Sequence, residues 1–223
     1  MTNHKVDQDN MALKLIVVPV TPLQQNASIL ICTATNKAAI VDPGGDVSHL
    51  MQVLKKNHVI PEKILLTHGH IDHAGGAADL AEKLNLVIEG PHEEDAFLLA
   101  SLDEQGKAYG IPEARKFVPT RWLTGGDKVS VGAVELEVRF VPGHTPGHVV
   151  FIHHASKLAL VGDTLFQGSV GRTDFPRSSH QQLMRAIGEQ LMTLPDDYTI
   201  LPGHGNASTI GDERINNPYI SRM

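Results

Sequence analysis

The sequence predicts an α/β fold in which two β-sheets stack face to face and helices cover their outer surfaces. Three observations predict it. Short apolar, β-branched runs fall into two blocks, one in the first ninety or so residues and one from Val129 onward. Each block carries its own amphipathic helices. No Ser/Gly/Pro-rich linker separates the blocks, so both are expected to contribute to one layered core.

The first block opens with Lys14–Val18, Ser28–Ile31 and Ala38–Val41, strand-like runs separated by turn residues. Asp42-Pro43-Gly44-Gly45 closes the third of them. Val47 to Asn57 has helical spacing, with Val47, Leu50, Met51 and Leu54 on one face. Pro61 restarts the chain into a strand at Ile64–Leu66, Ala77–Leu84 reads as a helix and Leu86–Ile88 as a strand. Glu93–Leu102 has a helical pattern. Gly106 and Gly110-Ile111-Pro112 mark residues 92–116 as an irregular surface excursion. In the second block Val134–Val138 alternates, followed by strands at Val149–Ile152 and Leu158–Val161. Gln181–Leu194 is the last expected helix and Tyr198–Leu201 the last strand.

Composition bounds the function. Apolar residues make up 41% of the 223 residues, enough to bury a sizeable core. The net charge of −6 speaks against a nucleic-acid partner, because phosphate binding needs clustered Lys and Arg. Cys32 is the only cysteine, so no internal disulfide forms. No stretch approaches the roughly 20 apolar residues that span a bilayer, and Thr2–Asn10 does not have the form of a signal peptide. The expectation is a cytoplasmic protein with no membrane partner. Residues 1–11 form a mobile leader and residues 12–223 one domain. Its oligomeric state is not readable.

The most informative run is His68-Gly69-His70-Ile71-Asp72-His73, which packs four metal-capable side chains into six residues. It follows the strand at Ile64–Leu66 and precedes Ala74-Gly75-Gly76, so it is expected on a loop, where scaffolds present their chemistry. Other strands run into turns that carry further donors: Pro142-Gly143-His144, Gly162-Asp163, Pro202-Gly203-His204 and Asp42-Pro43-Gly44. If these strand ends gather at one edge, the donors converge. Seven of them, His68, His70, Asp72, His73, His144, Asp163 and His204, are too many for one tetrahedral ion and suit two. Spacing assigns His68, His70 and His144 to one ion and Asp72, His73 and His204 to the other. Asp163, with two oxygens, is the natural bridge. Zinc is the leading choice, and iron and manganese accept the same N/O donors. Two such cations lower the pKa of a shared water from about 15.7 to about 7, which supplies hydroxide at neutral pH. Asp72 can also orient that nucleophile and accept its proton. No strong general acid is evident, which favours a thiolate leaving group, whose parent thiol has a pKa of about 8.5.

His68-x-His70-x-Asp72-His73, Pro142-Gly143-His144-Thr145-Pro146-Gly147-His148, Gly162-Asp163-Thr164-Leu165-Phe166 and Pro202-Gly203-His204-Gly205 together resemble the metallo-β-lactamase-fold hydrolases. The resemblance runs from about Leu13 to the end and is nearest to the glyoxalase II group, in particular its short, single-domain YcbL-type members. It implies a four-layer αβ/βα sandwich with two metals at one edge of the stacked sheets. It also implies hydrolysis of a small-molecule thioester, S-lactoylglutathione, to D-lactate and glutathione. The family's basic substrate-binding position corresponds to Arg172, whose guanidinium can grip the glycine carboxylate of a glutathione conjugate. Two family tyrosines are replaced here by Asp174 and Asn206, and the helical C-terminal domain of the longer enzymes is not expected, because the chain stops shortly after His204.

Other readings stay open at this level. A mononuclear-iron glutathione persulfide dioxygenase on the same scaffold would use His68, His144 and Asp163. A lactonase or esterase would use the same hydroxide. A metal-binding or interaction protein on a retired scaffold is disfavoured by the complete donor set. His148 reads as a supporting residue rather than a ligand, and His153 and His154 as ordinary strand residues. Asp42 reads equally as a turn cap and as a hydrogen-bond partner of a metal histidine.

Overall fold

Apolar residues on both faces of most strands place each sheet between two other layers. In this computed structural model residues 12–111 and 114–221 are described, and the expected leader at residues 1–11 lies outside them. The first sheet has strands β1 (Leu13–Val20), β2 (Gln25–Cys32), β3 (Lys37–Val41), β4 (Ile60–Leu65) and β5 (Val87–Glu89), in the order β1-β2-β3-β4-β5. The first three pair antiparallel and the last two join in parallel. The second block supplies β6 (Lys128–Val131), β7 (Val134–Phe140), β8 (Val149–His153) and β9 (Leu158–Gly162). A short ribbon follows, β10 (Leu165–Phe166) with β11 (Ser169–Val170), and then β12 (Thr199–Pro202) and β13 (Ser208–Thr209). The second sheet runs β13-β12-β9-β8-β7-β6, with β12 and β9 parallel and the other neighbours antiparallel.

Strand alternation sorts the core into three slabs. Leu30 and Cys32 of β2, Val41 of β3 and Leu65 of β4 face inward and meet Val129, Leu136, Val138, Phe151 and Leu160 of the second sheet. Their sequence neighbours Ile29, Ile31, Ile40 and Ile64 point the other way. They pack under α1 (Val47–Lys56), α3 (Ala77–Leu84) and the region of α4 (Ala96–Ala100) and α5 (Leu102–Tyr109). Val150, Ile152, Val161 and Ile200 pack outward against α6 (His180–Ala186), the π-helical turn Ile187–Leu191 and α7 (Ile210–Asn216). The result is the expected αβ/βα sandwich. Phe151 is fully buried between the sheets. Phe151→Ala is expected to cost about 3–5 kcal/mol, read as a lower urea midpoint at unchanged slope.

Three local readings are corrected. The His68–His73 run is only partly a loop, since Ile71–Ala74 forms a one-turn helix, α2, that carries Asp72 and His73. Most of the expected irregular excursion, residues 93–109, is helical. A 3₁₀ turn at Glu93–Asp95 leads into α4 and α5, whose Leu98, Leu99 and Leu102 are buried. Gly106 is tolerated inside α5 because a side chain there would strike the Ile111 carbonyl and Ala114. The last predicted helix is two pieces, α6 and the π-helical turn. Among the described residues no helix is long and apolar enough to cross a membrane.

Candidate metal centre

Parallel pairing places the ligand-bearing turns side by side. Val41 of β3 pairs with Leu65 of β4, so Asp42 emerges beside Leu66-Thr67-His68. Pro202 of β12 pairs with Gly162 of β9, so His204 emerges beside Asp163. The two sheets are tied where these ends meet: the Val149 N–H at the start of β8 donates to the Thr67 carbonyl, 2.8 Å away. That tie sets the 142–148 turn, with His144, over the His68 turn. Two glycines let the segments close. A Cβ on Gly44 would lie 1.5 Å from the Asp72 carbonyl oxygen, and one on Gly203 would lie 2.2 Å from Asp163 Oδ1.

All seven predicted donors converge. His70 Nδ1 lies 3.1 Å from His68 Nε2 and 3.0 Å from His144 Nε2. His204 Nε2 lies 3.1 Å from Asp72 Oδ2, and His73 Nε2 lies 3.9 Å from the same oxygen. Asp163 sits between the two groups. Its Oδ1 is 3.3 Å from His73 Nε2, and its Oδ2 is 3.7 Å from His144 Nε2 and 3.8 Å from His204 Nε2. His68/His70/His144 and Asp72/His73/His204 are each compact enough to surround one ion. Asp42/His68/His73 is equally compact. In that third group, however, the carboxylate is already engaged: Asp42 Oδ1 accepts the Thr67 N–H at 2.8 Å, and Oδ2 accepts Thr67 Oγ1 at 2.6 Å and His73 Nδ1 at 2.9 Å. Asp42 therefore orients His73 rather than offering a donor, which settles its role in favour of the hydrogen bond.

The chemistry of the donor set suits cations. Four histidines spend their outer nitrogen on an acceptor and turn a lone pair inward. His73 Nδ1 donates to Asp42, His144 Nδ1 to the Arg172 carbonyl at 2.8 Å, and His204 Nδ1 to the Leu23 carbonyl at 3.2 Å. The Thr67 hydroxyl gives its proton to Asp42, so it accepts from His68 Nδ1 at 3.0 Å. The buried atoms His73 Nε2 and Asp163 Oδ1 have no hydrogen-bond partner. Such orphaned inward-facing donor atoms are costly unless something binds them.

Electrostatics divides the cluster in two. Burial, then the nearby His73, holds His68 well below the ordinary histidine value. Burial and His144 push His70 down to about 3, and burial lowers His144. That half presents neutral imidazoles. In the other half burial is outweighed. Asp163 and Asp72 hold His73 well above its ordinary value, and the hydrogen bond that His204 Nε2 donates to Asp72 raises His204. Burial works against the ionised forms of Asp163 and Asp72 as well, yet His73 keeps both carboxyls below their usual range. The carboxylates attract positive charge here, whether a proton or a metal ion brings it.

Supporting residues extend beyond the predicted set. His148 is fully buried, stacks on His68 with ring centroids 4.7 Å apart, and its Nε2 accepts the Asp163 N–H at 3.0 Å. It steadies the Asp163 turn, as its reading as a supporting residue anticipates. Asp95 was not anticipated. This fully buried carboxylate accepts the Gly69 N–H at 2.9 Å, Thr145 Oγ1 at 2.8 Å and the Gly147 N–H at 2.6 Å, and so staples the His68–His70 turn to the His144 turn. Burial pushes it up to about 6, against the three donors, which favour its ionised form. No local pattern flags it, because Glu93-Glu94-Asp95 reads as an exposed acidic helix start. Asp95→Ala leaves three donors without an acceptor, at about 1–3 kcal/mol for each that stays dry. It is expected to lower both the melting temperature and the retained metal, measured together by calorimetry and elemental analysis.

Arg172 stands at the mouth of the cluster rather than in it. Its guanidinium makes a two-pronged pair with Asp174, at 3.0 and 2.7 Å, and lies 4.9 Å above the Phe175 ring. His153 and His154 lie apart from the cluster, bonded to Ser156 and to Tyr198 and Glu137 respectively.

Comparison with known proteins agrees with this geometry. The family model of the metallo-beta-lactamase superfamily matches residues 20–204. Hydroxyacylglutathione hydrolase GloC of Haemophilus influenzae is 42% identical over 94% of this chain and 99% of its own length. The probable metallo-hydrolase YqgX of Bacillus subtilis is 36% identical over 92% of this chain and 96% of its own. Among solved structures, BLEG-1 B3 metallo-beta-lactamase superposes with a TM-score of 0.85 at 31% identity, covering 93% of this chain and 100% of that one. TTHA1623 in a di-iron-bound form superposes at 0.81 with 34% identity, covering 92% and 99%. With its sandwich, its His/Asp cluster of dimetal type and relatives matched over nearly their full length, the chain belongs to the metallo-beta-lactamase superfamily and is a hydrolytic enzyme.

Proposed function

We propose that this enzyme hydrolyses a thioester, with S-lactoylglutathione as substrate and D-lactate and glutathione as products. One observation carries the reading: a single carboxylate, Asp163, lies between two complete sets of inward-facing donors. The 42% identity to a hydroxyacylglutathione hydrolase supports the substrate. His68, His70 and His144 would hold one divalent ion, Asp72, His73 and His204 the other, and Asp163 both. Zinc is the leading choice, and the di-iron form of TTHA1623 supports iron as compatible. When bound, such a pair supplies Lewis acidity that makes water nucleophilic at neutral pH and offsets the charge that develops on the carbonyl oxygen.

The chain's own residues do the rest. Asp42, Thr67 and the Arg172 and Leu23 carbonyls fix the tautomer and direction of four imidazoles, so little reorganisation is needed during the reaction. Asp72, kept ionised beside His73 and His204, takes up the proton of the attacking water. The departing sulfur leaves as thiolate and needs no general acid, which accords with the absence of a free acid beside the cluster among the described residues. Arg172 and the Phe175 ring offer a glutathione carboxylate a planar cation at the mouth of the cleft.

The test is thiol release from S-lactoylglutathione by protein of measured metal content. Turnover that rises with metal occupancy is expected. A fully loaded protein that releases no thiol would overturn the reading, and oxygen uptake with glutathione persulfide would replace it with the dioxygenase.

A further inference from the structure

The cleft above the cluster has a volume of about 900 Å³, and most of its lining is apolar. One wall comes from α4 and α5, with Phe97, Leu98 and Tyr109. The other runs from β10 to Pro176 and carries Phe166, Val170 and Phe175. Phe175 closes on the ligands themselves, with its ring centroid 4.7 Å from that of His70 and 5.5 Å from that of His144. Tyr109 is 63% exposed at the mouth, a large ring kept in water beside the site.

The polar side is thin by comparison. Among the described residues lining the cleft, Arg172 is the only Lys or Arg, and Asp174 already pairs with it. On the α4–α5 wall the Ser101 hydroxyl donates to the Leu98 carbonyl at 2.9 Å and accepts from Gln105 Nε2 at 2.7 Å. The Ser101 hydroxyl is thus already engaged, and the other hydroxyl of that wall, the Tyr109 phenol, sits out at the mouth. A lactoyl group would also leave the three wall side chains in water, whereas a ring or branched chain would cover them, and burial scales with the apolar area removed from water.

Resting on the thioesterase reading, we infer that the preferred thioesters carry a bulky apolar acyl group, aromatic or branched, lodged against Phe97, Leu98 and Tyr109. The direction follows from charge. The guanidinium that lines the cleft, Arg172, stands on the Phe175 wall, whereas that of Arg177, 4.7 Å from the Phe97 ring centroid, is paired with Glu94 and is not among the lining residues, so the carboxylate-bearing thiol half of the substrate lies by Arg172 and the acyl half turns to the opposite wall. The reaction is ordinary hydrolysis. The acyl C–S bond breaks and a C–O bond forms to water; the sulfur leaves as thiolate and afterwards takes up one of the water's two protons, while the acid product loses the other.

The experiment compares initial rates of thiol release from S-lactoylglutathione and S-phenylacetylglutathione by the metal-loaded enzyme, its Phe97→Ser variant and its Tyr109→Ser variant. The phenylacetyl thioester is expected to have a kcat/KM at least about tenfold higher, carried mainly by KM. Both variants are expected to pull that ratio towards one. Because each ratio is internal to one preparation, a loss of folding or metal does not mimic the effect, and exposed Tyr109 keeps the test open if Phe97→Ser folds poorly. Equal or faster turnover of the lactoyl thioester, or an unchanged ratio in the variants, overturns this inference and leaves the thioesterase reading intact. No cleavage of either compound overturns both.

Discussion

Asp163→Ala is expected to lose at least one metal per molecule and to lower kcat/KM by about a thousandfold or more. The argument is positional. Among the described residues Asp163 is the one carboxylate within 4 Å of histidine nitrogens from both donor sets, and its backbone is held by His148 and by the Gly171 segment, where a Cβ would lie 2.0 Å from the Asp163 carbonyl oxygen. Deleting the carboxylate removes a shared negative charge and leaves Asp72 as the carboxylate facing His73 Nε2 and His204 Nε2. Loss of a mere supporting partner of a metal ligand already costs 10–100-fold in affinity or activity, so loss of a shared donor is expected to cost on the order of 10³. His153→Ala serves as the control and should change neither quantity, because His153 bonds only to Ser156 at the far end of β8. Elemental analysis and thiol release decide it: full loading in the Asp163 variant would end the bridging assignment.

Metal removal is the second large effect. A ligand present at a thousand times its dissociation constant stabilises the fold by about 4.1 kcal/mol. In a chain of this size each kcal/mol moves the melting temperature by about 2–4 °C. Exhaustive chelation is therefore expected to lower the melting temperature by roughly 8–16 °C and to abolish turnover, with both restored by zinc, iron or manganese. The stabilisation has a clear source. The fold holds buried atoms such as His73 Nε2 and Asp163 Oδ1 without hydrogen-bond partners, and a bound cation would satisfy them together. A chelated protein as active as the loaded one would refute the metal mechanism.

Much of this was legible in the sequence because the site uses strand ends. Short apolar runs located the strands, and the donors lay just beyond them: His68, His144, Asp163 and His204 two or three residues past Leu66, Val141, Val161 and Leu201, and His70, Asp72 and His73 four to seven past Leu66. What escaped was held by contacts distant in sequence. Asp95 acts on Gly69, Thr145 and Gly147, and nothing near Asp95 in the chain announces them. The role of Asp42 depends on parallel pairing of β3 with β4, which brings Thr67 and His73 to it. At four residues α2 is too short to show a period. The aromatic wall on α4 and α5 was read as surface because Gly106 and Gly110 mimic loop punctuation, while Leu98, Leu99 and Leu102 anchor those helices to the core.

The way the donors are shared between the two sheets bears on synthesis at the ribosome. His68, His70, Asp72 and His73 emerge early, whereas His144, Asp163 and His204 follow from the other half of the chain. On the proposed assignment, neither ion can be fully coordinated until translation has passed residue 163, and the second waits for residue 204. On that assignment complete metallation is expected only of polypeptides extended past residue 204, and a truncated translation product would lack the stability that a complete pair of ions confers.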